Sequence, residues 1–390
     1  MSESSTKACA EDPRDGEAQS DPTQHQESKC PVAEALATKV LHVASNESFD
    51  LNDEHQNHPG RSELRVQLEQ RWKDLIEATS ALAASSRASS SSPATRPNTD
   101  CGVVAHSKKR KASNGSDDHD RLRSPFEKTA TTTAPSAQQP QQKQWFRAIC
   151  DKHSEAARHY HTLVHLWELF ELLDVVLASK PPSCSDRNRW YVPMAWSVFF
   201  HDSIYDPKSR RNEKESAKLF GEFVDEAMGR NDASAATRTM DDDTIGTVET
   251  MILATEKHEV IVPTTKATAQ HQEEKIAMQE YFLDIDMAVL GKQRKAYRKY
   301  AALIRKEYEW VSHDLYCSER AKILEKFLGE GSSAAGSSDG SSGDKNDNIA
   351  SSSMKKHIYI TEPFRRAFED RARCNLRDEI QLLRKNVLPE

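Results

Sequence analysis

The chain has 390 residues, of which 36% are hydrophobic and 29% charged, and its mean hydropathy is −0.77. A chain this polar does not pack throughout, so its apolar residues belong to part of the length and long stretches are expected to be solvated coil. The formal charge of −7 offers no global positive field for polyanions, which disfavours nucleic acid as the main partner.

Residues 1 to about 60 are rich in Ser, Glu, Gln, Asp and His, too polar to offset their conformational entropy by burial, and are predicted to form a disordered arm. With Ser62 as a candidate N-cap, Leu64, Leu68, Trp72, Leu75, Ile76 and Thr79 recur at steps of three and four, predicting an amphipathic helix to Leu82. Ala83 to Gln142, which includes ASSSSP and QQPQQ, has the composition of a linker. One helix before it cannot build a core alone, so the tract reads as an insertion inside a domain. The helical period returns in one run from Trp145 to Leu177, stopped by Pro181 and Pro182. Val192 to Asp202 is apolar almost all round, as a buried central helix is. Asn212–Met228, Thr244–Thr255, Gln272–Leu283, Arg294–Val311 and Ser318–Leu328 are amphipathic, and a last helix runs from Glu362 to about Leu383. Trp167, Trp196, Tyr300, Tyr308 and Trp310 sit at helical spacing and read as core. Nothing alternates with period two. The fold class is therefore all-α, one helical domain over 61–390 with coil insertions at about 83–142, 229–243 and 331–353.

The seven cysteines lie far apart without a CxxC pair, which is neither a zinc framework nor a disulfide scaffold and suits a reducing compartment. The amino terminus lacks the apolar core of a signal peptide, and no run approaches the roughly 20 apolar residues of a membrane span. A soluble, cytoplasmic protein is expected. The KKRK run from Lys108 to Lys111 has two readings, a nuclear import signal and a solvated charge cluster.

Three pieces carry the chemistry. His161 and His165, four apart, would share one face of a helix and address one site. His201-Asp202 closes the apolar run, placing a nitrogen and an anionic oxygen donor at the edge of the core. Burying an unpaired carboxylate there costs several kcal/mol, so a cation or a hydrogen-bonding partner is needed. Asp284 and Asp286 lie in an apolar stretch after a helix, and their alternation lets only one address a common site. Imidazoles and carboxylates drawn from separate helices suit Zn, Mn, Fe or Ni better than a thiolate-seeking metal.

The order YHxxxH, FFHDxxYD, NExxSA, ILATxxH, DxD before an apolar LG, and finally Ile-Arg-Lys-Glu-Tyr-Glu-Trp-Val resembles the predicted metal-dependent HD-domain phosphohydrolases of bacteria and eukaryotes. The resemblance implies an HD-domain helical bundle that hydrolyses a small phosphorylated substrate, a phosphate ester such as that of a nucleotide, by water activated on a divalent cation (Mn, Fe, Ni, Zn or Mg), and it leaves the substrate's identity open. It implies metal ligands at His165, His201, Asp202 and Asp286, with Asp284 as the alternative last ligand. The similar segment of cyclic-nucleotide phosphodiesterases implies that His161 is the general acid, but Thr162 stands where those enzymes have Asn, which argues against carrying over their specificity. Tyr205, Asp206, Asn212, Glu213, Lys257 and His258 belong to the same motif set. Glu213 and His258 would bind a second metal or a phosphate-bridging water and Lys257 would neutralise phosphate; otherwise Glu213 is a carboxylate favoured by a helix dipole and Lys257-His258 an exposed pair. The alternative function is a non-catalytic helical module that binds a metal or a regulatory nucleotide.

Overall fold

The computed structural model describes residues 30–45, 59–90, 138–179, 184–229, 239–262, 268–329 and 357–389, and among them there are eleven α-helices, one 3-10 turn and no strand. The protein is all-α. In chain order the helices are α1 (Pro31–Ser45), α2 (Pro59–Ser90), α3 (Gln138–Lys152), α4 (Leu163–Ala178), α5 (Cys184–Phe200), α6 (Asn212–Ala227), α7 (Asp242–Ala254), α8 (Ala269–Met287), α9 (Arg294–Glu307), α10 (His313–Leu328) and α11 (Glu362–Arg384), with the 3-10 turn Ala288–Gly291 after α8.

Every residue from Val192 to Phe200 is buried, because α5 is surrounded by α2, α4, α6, α7 and α8. A helix with no solvent face has to be apolar all round. Its aromatic residues meet those of α2: the Trp72 ring lies 5.0 Å from the rings of both Trp196 and Phe199, in edge-on contacts. Trp196 keeps its indole N–H satisfied by donating to Thr79 Oγ1 at 3.0 Å. Arg71 of α2 also donates to both carboxylate oxygens of Asp174 on α4, at 3.2 and 2.6 Å. Thus α2 shares the core with helices that follow the long tract after it. Residues 91–137, which make up most of that tract and include KKRK, lie outside the described residues, as do 1–29, 230–238 and 330–356.

The structure corrects several element boundaries. The first sixty residues are not coil throughout: residues 31–45 form α1, which packs on α4 and α11 with Leu36 fully buried. Its short apolar set is hidden in the sequence by the polar text around it. The edges of the 83–142 tract are helical as well, since α2 continues to Ser90 and α3 begins at Gln138. Alanine-rich and glutamine-rich segments propagate an adjoining helix at little cost, and Pro140 is tolerated in a first turn. Helix α2 starts at Pro59, which leaves Ser62 inside it. The run from Trp145 to Leu177 is two helices, with residues 153–162 turning between α3 and α4. Thr162 makes the break: in extended conformation, it caps α4 by accepting the Val164 N–H. Arg294–Val311 likewise ends at Glu307.

Helix α11 closes the far side, packing on α10, on α1 and on the 3-10 turn. Among the described residues no helix is long and apolar enough to cross a membrane.

Candidate metal centre

Three elements bring the four candidate ligands together. His165 is in the first turn of α4, His201 and Asp202 directly follow α5, and Asp286 is in the last turn of α8. His165 Nε2 lies 3.3 Å from His201 Nε2 and 3.3 Å from Asp286 Oδ1. His201 Nε2 lies 3.1 Å from Asp202 Oδ2 and 3.7 Å from Asp286 Oδ1, and His165 Nε2 lies 3.7 Å from Asp202 Oδ2. Donors held about 2.1 Å from one centre would stand about 3.0–3.5 Å from each other, so the spacing suits a single cation. Both imidazoles are buried.

The protonation pattern points the same way. His201 Nδ1 is 3.1 Å from the Val198 carbonyl, and a carbonyl only accepts, so Nδ1 carries the proton. In its neutral form, as a metal ligand would be, His201 therefore turns its Nε2 lone pair toward His165 Nε2 and two carboxylates. Burial disfavours charge here, yet the imidazoles, including His201 and His161, outweigh it and hold Asp202 well below the usual carboxylate range. Asp286 is likewise low: burial opposes it, and hydrogen bonds from His165 and His258 overcome burial. Without a cation, burial would lower His201, but Asp202 raises it to about 9. Two ionised carboxylates facing two imidazole nitrogens demand a positive charge between them. A proton or a divalent cation meets that demand, and the group His165, His201 and Asp202 forms a set that could hold a metal ion.

Asp284 does not belong to the cluster. Its carboxylate accepts the N–H groups of Ile360 and Thr361, both at 2.7 Å, on the side facing α11. His258 does approach: Nε2 is 3.3 Å from Asp286 Oδ2, so Asp286 offers one oxygen to His165 and the other to His258. His258 has φ of +52°, a left-handed conformation uncommon for a side chain of this size. Glu213 lies in the first turn of α6, where a carboxylate favours the helix dipole, and Lys257 is exposed. Among the described residues, neither makes a hydrogen bond or ion pair with His165, His201, Asp202 or Asp286.

His161 precedes α4 and is not on it, correcting the shared helix face. Its ring still reaches the centre, with Nε2 4.0 Å from Asp202 Oδ2. Other motif residues shape the loop after α5. Asn212 accepts the Asp206 N–H at 3.1 Å and donates to the Asp206 carbonyl at 2.9 Å, and Ser216 accepts the Ile204 N–H at 3.0 Å.

Two residues of the site were not singled out by sequence. Arg158, buried, donates to the carbonyls of Asp202 at 2.5 Å and Ser203 at 2.9 Å. Glu307, at the end of α9, accepts the N–H groups of His159, Tyr160 and His161 with Oε1 at 2.8, 2.7 and 3.0 Å. Its Oε2 lies 2.7 Å from His161 Nδ1 and accepts the Tyr205 hydroxyl at 2.8 Å. Burial would raise the Glu307 pKa, but the His161 charge and these hydrogen bonds bring it down to about 2. In turn burial would lower His161, and Asp202 and Glu307 raise it. The available signals were the Arg158 beside the histidines and the Glu in Ile-Arg-Lys-Glu-Tyr. Trp310 is half exposed, not core, with Lys208 Nζ 5.4 Å from its ring centre.

Comparison with known proteins returns no match to a family model, to a curated protein or to a solved structure.

Proposed function

We propose that the chain is a metal-dependent phosphohydrolase of the HD type, which cleaves a phosphate ester with water. One observation carries the reading: His161 Nε2 borders a closed set of donors without being one of its closest members, at 4.0 Å from Asp202 Oδ2. A site that merely held a metal for structure gains nothing from an oriented imidazole beside it. His165, His201, Asp202 and Asp286 would hold the cation, and their nitrogen and oxygen donors suit Mn, Fe, Ni, Zn or Mg. A divalent cation in such a site lowers the pKa of a bound water and withdraws charge from a phosphoryl oxygen. His161, with Nε2 directed at Asp202, would be the general acid that protonates the departing oxygen. Asp286 meets His258 Nε2 through its second oxygen at 3.3 Å, which adds another imidazole beside the candidate ligands.

Elemental analysis of the purified protein and of His201→Ala, followed by a phosphate-release screen over mono- and diesters, tests the proposal. The expected result is about one transition metal per chain in the wild type, its loss in His201→Ala, and release from at least one ester class. Equal metal in both proteins overturns the metal centre. A metal-loaded protein that releases phosphate from none of the esters would be a binding module.

A further inference from the structure

We infer that Glu307 is the positioning residue for the His161 proton, and that the pair suits the site to phosphate esters of aliphatic alcohols and not to phosphoanhydrides. The second half of this inference rests on the phosphohydrolase reading; the first does not.

A carboxylate as buried as Glu307 is costly unless its lone pairs are filled. Three consecutive backbone N–H groups fill Oε1, which would suffice to anchor the loop 153–162. Oε2 is committed elsewhere, to His161 Nδ1 and the Tyr205 hydroxyl. An ionised carboxylate only accepts, so the neutral His161 ring must keep its proton on Nδ1 and present Nε2 to the metal centre. The Tyr205 ring lies 4.2 Å from the His161 ring, at 32° to its plane, and restricts its rotation. Tautomer, tilt and direction of the imidazole are thus all fixed before a substrate arrives.

Such a device matters in proportion to the basicity of the leaving group. In ester hydrolysis the water oxygen bonds to phosphorus, and the bond to the alcohol oxygen breaks with its electron pair staying on that oxygen. His161 Nε2 delivers a proton there, and the proton given up by the water restores the ring. An aliphatic alkoxide is a strong base and needs that proton as the bond breaks. Phosphate leaving from an anhydride, or a nitrophenolate, needs little help.

The test uses the full chain labelled with ¹⁵N-histidine and saturated with Zn²⁺, a diamagnetic ion, with His161 assigned from the signals lost in His161→Ala. Long-range ¹H–¹⁵N spectra should show the neutral His161 ring protonated at Nδ1. In Glu307→Gln the three backbone donors claim the amide oxygen, which turns the amide NH₂ toward the ring, so the proton should move to Nε2. The same variant should keep its metal and lose kcat on an alkyl phosphate by on the order of 10²-fold, with a loss on 4-nitrophenyl phosphate at least about tenfold smaller. A wild-type ring protonated at Nε2, or equal losses on the two substrates, overturns the positioning role. If Glu307→Gln does not fold, the wild-type spectrum still decides the tautomer. Faster wild-type cleavage of inorganic diphosphate than of alkyl phosphates overturns the substrate class. An Nδ1 proton in a protein that cleaves no phosphate compound upholds the positioning role and overturns the phosphohydrolase reading.

Discussion

Asp284 and Asp286, two residues apart at the end of α8, turn their carboxylates to different partners: Asp286 to His165 and His258, and Asp284 to the main chain ahead of α11. Two carboxylates so close in sequence therefore have separable jobs. Asp286→Asn should lose metal while the fold persists. Asp284→Asn should keep metal and lose about 1–3 kcal/mol of stability, because an amide nitrogen cannot accept from the second of its two N–H donors. Metal content and urea unfolding of both variants check this; loss of metal in Asp284→Asn alone would reverse the assignment.

The spacing of the donors made the centre readable. A His-Asp pair at the end of a helix with no solvent face has to sit against the core, and the periodic segments that carry His165 and Asp286 turn their apolar sides to the same place. The residues alone left the choice between Asp284 and Asp286 open, and only the resemblance favoured Asp286, because the choice depends on which of them finds the N–H groups of Ile360 and Thr361, some 76 residues on in the first case. Glu307 was hidden for a similar reason. It lies 146 residues from His161 in sequence, and three of its partners are backbone groups that leave no mark in composition. The same bonds pull residues 159–161 out of the helical path that their apolar period suggests. Helix α1 escaped because its few apolar residues are diluted by a polar arm.

His153 predicts an acid response. Its ring is fully buried, with Nδ1 3.0 Å from the Ile149 carbonyl and no partner for Nε2. Burial, with the nearby Arg158 charge, lowers its pKa to about 3. The folded state then holds a neutral ring where the unfolded chain, with an ordinary histidine pKa near 6.5, takes up a proton. This residue's contribution is complete above about pH 6.5 and is lost as pH falls toward about 3, at up to about 1.4 kcal/mol per pH unit. His153→Asn, which keeps a donor for Ile149, should show a shallower fall between pH 6 and about pH 4 in urea unfolding. Parallel wild-type and variant curves would mean that the ring is protonated in the fold.

Gly291 predicts a packing defect. A Cβ added there would overlap Phe368 Cβ and crowd the Tyr359 hydroxyl, because α11 runs directly over the 3-10 turn. Neither a ring root nor a backbone-anchored hydroxyl gives way easily, and Tyr359 also donates to the Met287 carbonyl at 3.2 Å. Gly291→Ala should cost about 1–3 kcal/mol, as overpacking of a tight core does. A thermal melt of the variant matching the wild type would show that α11 moves aside freely.

Arg158 predicts that the metal centre depends on a residue that touches no ligand atom of it. Its guanidinium donates to the carbonyls of Asp202 and Ser203 and to Glu155, with its side chain 1% exposed. These bonds hold the chain after α5, which carries both His201 and Asp202, to the loop that carries His161. The planar fork reaches two successive carbonyls at once; an ammonium on a shorter stem cannot hold both in that geometry. Arg158→Lys should therefore leave one buried carbonyl without its charged donor, at about 1.5–3 kcal/mol, and loosen Asp202 relative to His165. Outer residues that orient ligands typically change metal affinity about 10- to 100-fold. Competition with a chelator of known affinity would measure the loss, and the urea midpoint would report the stability separately. Adding excess metal should restore binding in Arg158→Lys but not in His201→Ala, since only the latter lacks a donor. If Arg158→Lys binds metal as tightly as the wild type while its stability falls, the guanidinium serves the fold alone and the ligands are oriented by α4, α5 and α8 without it.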